Sequence, residues 1–216
     1  HKTTAALALF LPGQEAGSAV ADVLLGDVVP SGKLPVTFPE SEQDAIRPCA
    51  ANPCVYAEGV EGGWHVYAGR QVAFPFGHGL SYTTFSYSGT RGFSLSSASL
   101  SSKGRAAGVV TVRNTGEVAG VEVVQLYVRY PRRAVEDGEP EMRLRAFRRT
   151  PLLAPGEACE VELALTLRDL SVWDTDARGW RVVPHVSAVV AASSRDHRLC
   201  GRVGAAGDGA PPLDAC

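Results

Sequence analysis

Residues 74–87 read FPFGHGLSYTTFSY, and they separate two kinds of sequence pattern. Before them the apolar residues follow mixed helical and extended spacing, whereas after them they alternate at every second position, as in β-strands. Aromatic side chains and two glycines stand around a single proline, which is typical of a buried corner between packed elements. We therefore predict two structural units that meet at Phe74–Tyr87, and we call this stretch the corner.

The composition is that of an ordinary globular protein. Among 216 residues, 21 Lys and Arg stand against 23 Asp and Glu, which gives a formal net charge of −2. This balance provides no attraction to nucleic acid or to an anionic membrane. No apolar run reaches the length of about 18 residues that a membrane-spanning helix needs. The chain opens at His1 on a core-like segment without a signal-peptide pattern, so we expect a fragment of a longer protein.

The first unit, residues 1–82, is predicted to be part of an α/β domain. Ala5–Leu11 is apolar at every position, as in a strand that is buried on both faces of a helix-covered sheet. Gln14–Leu25 has helical spacing, with Glu15 in the first turn and Gly26 placed to end the helix. The turn between them lacks the glycine pattern of a nucleotide-binding loop, so no phosphate site is predicted there.

The second unit, residues 83–205, is predicted to be an all-β, immunoglobulin-like sandwich. Apolar residues alternate with other residues, which indicates half-buried antiparallel strands. Turns rich in Asn, Pro and Gly separate them. Residues 206–216 are small and Gly/Pro-rich, and they are predicted to form a frayed tail. About seven strands are predicted, at 84–87, 110–113, 123–130, 144–148, 161–167, 180–191 and 197–200.

Several motifs occur along the chain in a fixed order. The first unit contains, before the corner, PGQEAG at 12–17, ADVLLGDV at 21–28, PSGKLPVTFP at 30–39, SEQD at 41–44 and EGV at 58–60. The second unit contains VRNTG at 112–116, QLYV at 125–128, LAPGE at 153–157 and RDLSVWD at 168–174. The first series resembles the C-terminal α/β domain of family 3 glycoside hydrolases. The second resembles the fibronectin type III-like domain that follows it in many of these enzymes.

The resemblance implies a retaining, exo-acting β-glycosidase that removes a terminal sugar from a glycoside or oligosaccharide without a metal or cofactor. Such a mechanism needs two carboxyl groups about 5–5.5 Å apart. The resemblance places the nucleophilic Asp on a preceding barrel domain and the acid/base Glu upstream of PGQEAG, so both are expected upstream of His1. We therefore assign no catalytic, binding or metal-ligating residue within 1–216, and we expect the chain alone to be inactive.

Three functions stay open for the parent protein. The motifs at 41–44 and 58–60 favour a β-glucosidase. However, GWHVYA at 63–68 stands where the family's β-glucosidases usually read Gly-Tyr-Arg-Tyr-Tyr-Asp, and the run from there to the corner is short. The short run favours a β-xylosidase or α-arabinofuranosidase of the same family, whereas a β-glucosidase is the leading hypothesis. The third alternative is a non-catalytic carbohydrate-binding or interaction module.

Individual acidic residues and one histidine are predicted to have structural roles. The helix macrodipole explains Glu15, and Asp22 and Asp27 diverge on a helix and so do not form a catalytic pair. Glu58 lies in a loop, where a place at a pocket rim is the alternative. His78 has no carboxylate at a fixed spacing, so we predict a hydrogen-bonded corner histidine and not a general base.

The tryptophans and arginines also have structural interpretations. Trp64, Trp173 and Trp180 could stack on sugar rings, but a core or inter-sheet role is predicted for the last two. Ser81 lacks the GxSxG elbow of a serine hydrolase. Because the chain as a whole is not basic, four arginines are interpreted as one charged strand face: Arg143, Arg145, Arg148 and Arg149.

The cysteines indicate a secreted protein. Cys49 and Cys54 flank a short loop and can close a small disulfide ring, whereas a zinc site would need two further ligands. An odd number of cysteines leaves at least one thiol unpaired or bridged outside the chain. The sequence does not determine the pairing among the five residues, which are Cys49, Cys54, Cys159, Cys200 and Cys216.

Overall fold

The computed structural model describes residues 5–50, 52–55, 59–95, 104–136, 138–205 and 213–216. This part of the chain is mostly β-structure, with a helix of 10 residues near its start. Two sheets share one apolar core, and the corner lies against the outer face of one of them. No helix in these ranges is long and apolar enough to cross a bilayer.

The first unit has little regular structure. Its elements are helix α1 (Ala16–Leu25), two short 3₁₀ segments (Glu42–Asp44 and Gly63–Tyr67), and the paired strands β1 (Phe38–Pro39) and β2 (Val72–Phe74). The strand predicted at Ala5–Leu11 is wrong, since this segment is irregular and Leu11 is 98 % exposed. A strand that is apolar on both faces needs a covering layer on each side, and none of the described segments provides one.

Helix α1 begins at Ala16 and not at Gln14. It ends as predicted at Gly26, which adopts a left-handed φ of 88° and donates its amide to the Val23 carbonyl. Glu15 occupies the N-cap position outside the first turn, and its side chain makes no capping hydrogen bond, so its predicted place is wrong. No residue of α1 is fully buried.

The second unit is built from a five-stranded and a four-stranded sheet. Its elements are β3 (Phe85–Leu95), β4 (Arg105–Asn114), β5 (Val123–Arg129), the short helix α2 (Arg132–Glu136), β6 (Met142–Arg149), β7 (Ala158–Thr166), β8 (Ser171–Asp174), β9 (Gly179–Val182), β10 (Ser187–Ala191), β11 (His197–Arg202), β12 (Gly204–Ala205) and β13 (Asp214–Ala215). The larger sheet has the order β13-β11-β10-β5-β6, and the smaller has β12-β3-β4-β7. Neighbouring strands are antiparallel, except for the pair β12 and β3.

The single strand predicted at 180–191 is wrong, because two strands lie there. Strand β9 pairs with β8 in a separate hairpin, whereas β10 lies inside the five-stranded sheet. Pro184 lies between β9 and β10 and has no amide hydrogen to donate to a ladder. The adjacent His185 adopts a φ of 59°, which turns the chain. The hairpin β8–β9 therefore stands outside both sheets.

The sandwich core confirms the alternation predicted for β7, whose buried residues occur at every second position. Strand β5 differs. Leu126 and Val128 face the core, but Gln125 and Tyr127 on the opposite face are buried as well. The prediction of a half-buried β5 is wrong, because a second, smaller apolar cluster that includes the corner covers its outer face.

Two disulfides close loops in the chain. Cys49 and Cys54 form the small ring considered from the sequence, so their sulfurs are not available to a zinc ion. Cys200 and Cys216 are also bridged, which ties the paired strands β11 and β13 together covalently. The frayed tail predicted at 206–216 is therefore wrong for residues 213–216, where Leu213 is buried in the shared core. Cys159 on β7 carries the free thiol.

Candidate functional site

The corner is held against the five-stranded sheet by aromatic rings. Trp64 stacks on Phe76, with 5.3 Å between ring centroids and an interplanar angle of 9°. The ring of Tyr127 stands at 82° to that of Trp64, at 5.9 Å, and is fully buried. Trp64 is therefore a packing residue. We call the contact region between residues 30–85 and the sandwich the junction.

Gln125 joins the corner to the sandwich through a buried side chain. Its Nε2 donates to the carbonyls of Gly77 at 3.0 Å and Ala192 at 2.8 Å, and its Oε1 accepts the Tyr127 hydroxyl at 2.6 Å. Gly77 has a φ of +79°, and a Cβ there would overlap the Gln125 amide. Because both ends of the amide are bonded, the side chain has one orientation and fixes two loops.

The turn between β10 and β11 holds the first unit from a second side. Arg195 donates from Nη2 to the carbonyls of Tyr67, at 2.9 Å, and Arg70. The amide of Ser194 donates to the Phe76 carbonyl at 2.9 Å. These bonds fix the end of the second 3₁₀ segment next to the corner.

A cavity of about 410 Å³ opens within the junction. Two ion pairs contribute to its wall. Lys33 Nζ and Glu122 Oε1 are 2.8 Å apart, and these side chains are only 14 % and 9 % exposed. Arg198 Nε and Asp196 Oδ1 are 2.6 Å apart. The lining residues come from four stretches, within 30–33, 78–85, 121–122 and 192–198.

His78 lines this cavity and is held by its backbone. Its carbonyl accepts from the Leu34 amide at 2.8 Å, and its amide donates to the Pro75 carbonyl at 3.1 Å. The ring stacks on Phe74 at 5.5 Å, and within the described residues its nitrogens have no hydrogen-bond partner. Burial and then the charge of Lys33 lower the pKa of His78, which keeps its imidazole neutral. The hydrogen bonds predicted for the side chain of the corner histidine are not present among the described residues, and only its backbone is hydrogen-bonded.

A buried phenol lies beside the cavity wall. Tyr87 Oη is buried next to the Glu122 carboxylate. Burial, and after it the charge of Glu122, raise the pKa of Tyr87 above its usual range. The guanidinium of Arg198 lies over the Tyr87 ring, 5.5 Å from its centroid. The hydroxyl therefore keeps its proton and stays a potential donor.

Two acidic side chains at the junction are held in ion pairs. Glu122 contacts Lys33, and Asp196 contacts Arg198. Asp22 and Asp27 are exposed on and after α1. Glu58 lies outside the described residues. The junction therefore holds the two units together through hydrogen bonds and an ion pair.

The core role predicted for Trp173 and Trp180 is wrong. They face each other across the hairpin β8–β9, with ring centroids 5.4 Å apart, and they are 46 % and 49 % exposed. The guanidinium of Arg168 lies over the Trp180 ring. The hairpin stands outside both sheets, so no second layer covers these side chains.

Three of the four arginines that are predicted to form a charged face on β6 have different partners. Arg143 donates to Glu139 at 2.8 Å, and Arg145 donates to the Tyr130 hydroxyl at 2.7 Å. Arg149 reaches across the junction to Ser31 Oγ at 3.1 Å. Each of these three arginines thus has a separate local partner.

The sequence interpretation missed the residues that hold the junction: Lys33, Glu122, Gln125, Tyr127 and Arg195. The QLYV motif at 125–128 carried a usable signal. It places Gln125 and Tyr127 on the face of β5 that would be exposed to water if the strand were half-buried. A large aromatic side chain on that face indicates that another layer covers it. The partners of that layer come from distant parts of the chain, and no local pattern identifies them.

Both units resemble known domains. Residues 1–82 match the glycosyl hydrolase family 3 C-terminal domain, and residues 122–195 match a fibronectin type III-like domain. The chain is 39 % identical over 215 residues to a probable β-glucosidase D of Aspergillus niger, and 39 % identical over 208 residues to a β-glucosidase of Rhizobium radiobacter. The alignments cover 92 % and 91 % of this chain but 28 % and 25 % of those proteins. The chain thus spans about a quarter of their length.

Solved structures give the same result. The β-D-glucoside glucohydrolase of Trichoderma reesei superposes with a TM-score of 0.77 at 36 % identity, over 91 % of this chain and 29 % of its own. A β-glucosidase of Chaetomella raphigera superposes with a TM-score of 0.75 at 39 % identity, over 88 % of this chain and 28 % of its own. The chain belongs to glycosyl hydrolase family 3, as the C-terminal region that includes a fibronectin type III-like domain.

Proposed function

We propose that this chain is the C-terminal part of a retaining, exo-acting β-glucosidase that hydrolyses terminal glycosyl bonds of glycosides or oligosaccharides. The observation that carries the proposal is the similarity at about 39 % identity to β-glucosidases, over more than nine-tenths of the chain. This similarity extends through the corner, so it includes both units and their connection. The activity belongs to the parent protein and not to this chain alone. The similar β-glucosidases are about four times as long as this chain.

The proposed division of labour places catalysis outside residues 1–216. Residues 1–82 complete an α/β domain that forms one wall of the sugar pocket. Residues 83–205 form an immunoglobulin-like sandwich that supports it, and residues 213–216 are part of this sandwich. The exposed apolar side chains of Leu9, Phe10 and Leu11 support this division, since such a surface is suited to packing against further segments of a domain.

An oxidising compartment is the proposed place of action. Two disulfides, Cys49–Cys54 and Cys200–Cys216, support a secreted or extracellular parent protein. Growth in a reducing cytosol should therefore leave both bridges open. Mass spectrometry after alkylation of the native protein, isolated from its natural source, tests this directly, because two blocked pairs are expected and five alkylated cysteines would contradict the proposal.

The activity is tested on the parent protein with matched aryl β-glucoside and aryl β-xyloside substrates. A higher kcat/KM for the glucoside is expected. A preference for the xyloside would replace the proposal by the β-xylosidase or α-arabinofuranosidase alternative. The 216-residue chain serves as the control, and it is expected to hydrolyse neither substrate.

A second candidate function is carbohydrate binding by the sandwich. The observation that favours it is the exposure of Trp173 and Trp180 on one hairpin, since exposed indole faces are suited to stacking on apolar surfaces of ligands. The double variant Trp173→Ala/Trp180→Ala is expected to release the chain from an insoluble β-glucan. Phe147→Ala removes an aromatic ring that is 64 % exposed on β6 and serves as the matched control. Equal retention of both variants would exclude this function.

A further inference from the structure

The last strands of the described chain cross between the two sheets of the sandwich. Strand β11 lies in the larger sheet, and β12, which follows it, pairs in parallel with β3 of the smaller sheet. Strand β13 returns to the larger sheet and pairs with β11, where Ala215 lies opposite Leu199. Residues 213–216 therefore cover the edge of β11, and we call them the clasp.

Leu213 anchors the clasp in the shared core. Its side chain is only 4 % exposed and belongs to the same apolar cluster as Phe93 and Leu199. It also lies against β3 of the opposite sheet, since a Cβ at Gly89 would overlap the carbonyl and the Cβ of Leu213. The clasp thus closes the side of the core between β3 and β11, and without Leu213 that side would be open to water.

A disulfide holds this anchor in place. Strand β13 has only two residues, so its ladder with β11 contains few hydrogen bonds. The bond between Cys200 and Cys216 joins residues that are 16 positions apart. A disulfide across a loop of this length favours the closed form, because it restricts the conformations that the open chain can adopt. The covalent bond therefore contributes strongly to keeping the clasp on β11.

One end of the disulfide is accessible from solvent. Cys216 is exposed, whereas Cys200 is half-buried against the cluster that contains Tyr127 and Val189. The free thiol of Cys159 lies on β7, which is the edge of the smaller sheet opposite to β12. Opening the bond therefore needs a reductant from outside the chain.

We propose that the clasp is a redox-sensitive closure of the sandwich, which a dithiol opens. One thiolate of the dithiol attacks the exposed Cys216 sulfur, and Cys200 leaves as a thiolate that takes up a proton. The second thiol of the reductant then attacks its own sulfur in the mixed disulfide, which releases the Cys216 thiol and converts the reductant to a cyclic disulfide. Two electrons and two protons pass from the dithiol to the protein. Strand β13 then leaves β11, and Leu213 leaves the core.

Hydrogen–deuterium exchange measured by mass spectrometry tests the proposal, because it reports the local opening of individual strands. The variant Cys216→Ser breaks the disulfide at its exposed end. Amides of β11 are expected to exchange about tenfold faster or more, since a disulfide across such a loop favours the closed state by about that factor or more. Amides of β7 should keep their rate. Treatment of the unmodified chain with dithiothreitol should give the same pattern.

Two further variants separate the clasp from other effects. Cys54→Ser also frees one thiol, but it opens the small ring in the first unit, so β11 should exchange as in the unmodified chain. Leu213→Ala keeps the Cys200–Cys216 bond but removes the anchor, and it should also speed exchange in β11.

Three results would overturn the proposal. The first is unchanged exchange of β11 in Cys216→Ser or in Leu213→Ala. The second is an equal acceleration in Cys54→Ser. The third is faster exchange in β7 together with β11, because the disulfide would then hold the whole sandwich and not a separable clasp.

Discussion

The sandwich and the first unit differ in where their apolar side chains lie. In the sandwich, residues such as Leu126 and Leu163 from opposite sheets are buried in one shared core. In the first unit, Leu9, Leu11 and Leu24 are exposed, and no residue of α1 is fully buried. The sandwich buries its apolar side chains within the described chain, whereas the first unit leaves many of them exposed. What holds the first unit in place is the junction, with one small aromatic cluster and a set of hydrogen bonds.

This contrast predicts three levels of sensitivity to substitution. Changes in the shared core should unfold the chain, changes in the junction should loosen one unit from the other, and changes on the exposed surface should have little effect. The size of the effect of each substitution tests this ranking.

The largest effect is expected in the shared core. Leu126→Ala should lower the free energy of unfolding by about 2–5 kcal/mol, because it removes buried methyl groups and leaves a cavity. Leu24→Ala on α1 should change it by less than about 0.5 kcal/mol, since Leu24 is already 69 % exposed. Urea unfolding followed by circular dichroism measures both. Similar losses in the two variants would show that α1 is as well packed as the sandwich.

The next effect is expected at Gln125. Gln125→Ala leaves the carbonyls of Gly77 and Ala192 and the hydroxyl of Tyr127 without their partner, which should cost about 1–3 kcal/mol. Limited proteolysis should then cut the segment before the corner faster, while the sandwich stays resistant. Gln71→Ala is the matched control, since Gln71 is exposed just before β2. Equal cleavage rates in the two variants would contradict a role for Gln125 in holding the corner.

A smaller, pH-dependent effect is expected at His65. Burial chiefly, with added repulsion from Arg143 and Arg145, lowers the pKa of His65 from 6.5 to about 4. The unfolded chain therefore binds this proton at a higher pH than the folded chain does. Stability from this source is full above pH 6.5 and is lost progressively as the pH falls toward about 4.

The variant His65→Gln isolates this contribution. Urea unfolding at about pH 7.5, 6 and 4.5 should show the variant gaining stability relative to the unmodified chain only at the lower values. His185→Gln, at an exposed site, should show no such change. A difference between His65→Gln and the unmodified chain that does not vary with pH would mean that His65 is not shielded in the folded state.

The sequence predicted the sandwich well because its signal is local. Apolar residues occur at every second position within 161–167, and β7 buries Val161, Leu163 and Leu165 as expected. The same reasoning failed where the deciding partner is distant in sequence. Ala5–Leu11 has the composition of a buried strand, but no layer in the described part of the chain covers it. Strand β5 is buried on both faces, because the corner covers its outer face. The core role predicted for Trp173 and Trp180 is wrong for a related reason, because their hairpin lies outside both sheets.

The smallest effect is expected for an ion pair on the sandwich surface. Arg105 on β4 and Glu162 on the neighbouring β7 contact each other, but both side chains are more than half exposed, at 56 % and 55 %. Water and salt screen such a pair, so Arg105→Ala should lower the free energy of unfolding by only about 0–0.5 kcal/mol. Urea unfolding at low and high salt measures this, and the small loss should vanish at high salt. A loss as large as that expected for Gln125→Ala would mean that exposure does not rank these contacts. Polar contacts on the exposed surface would then be as sensitive to substitution as those in the junction.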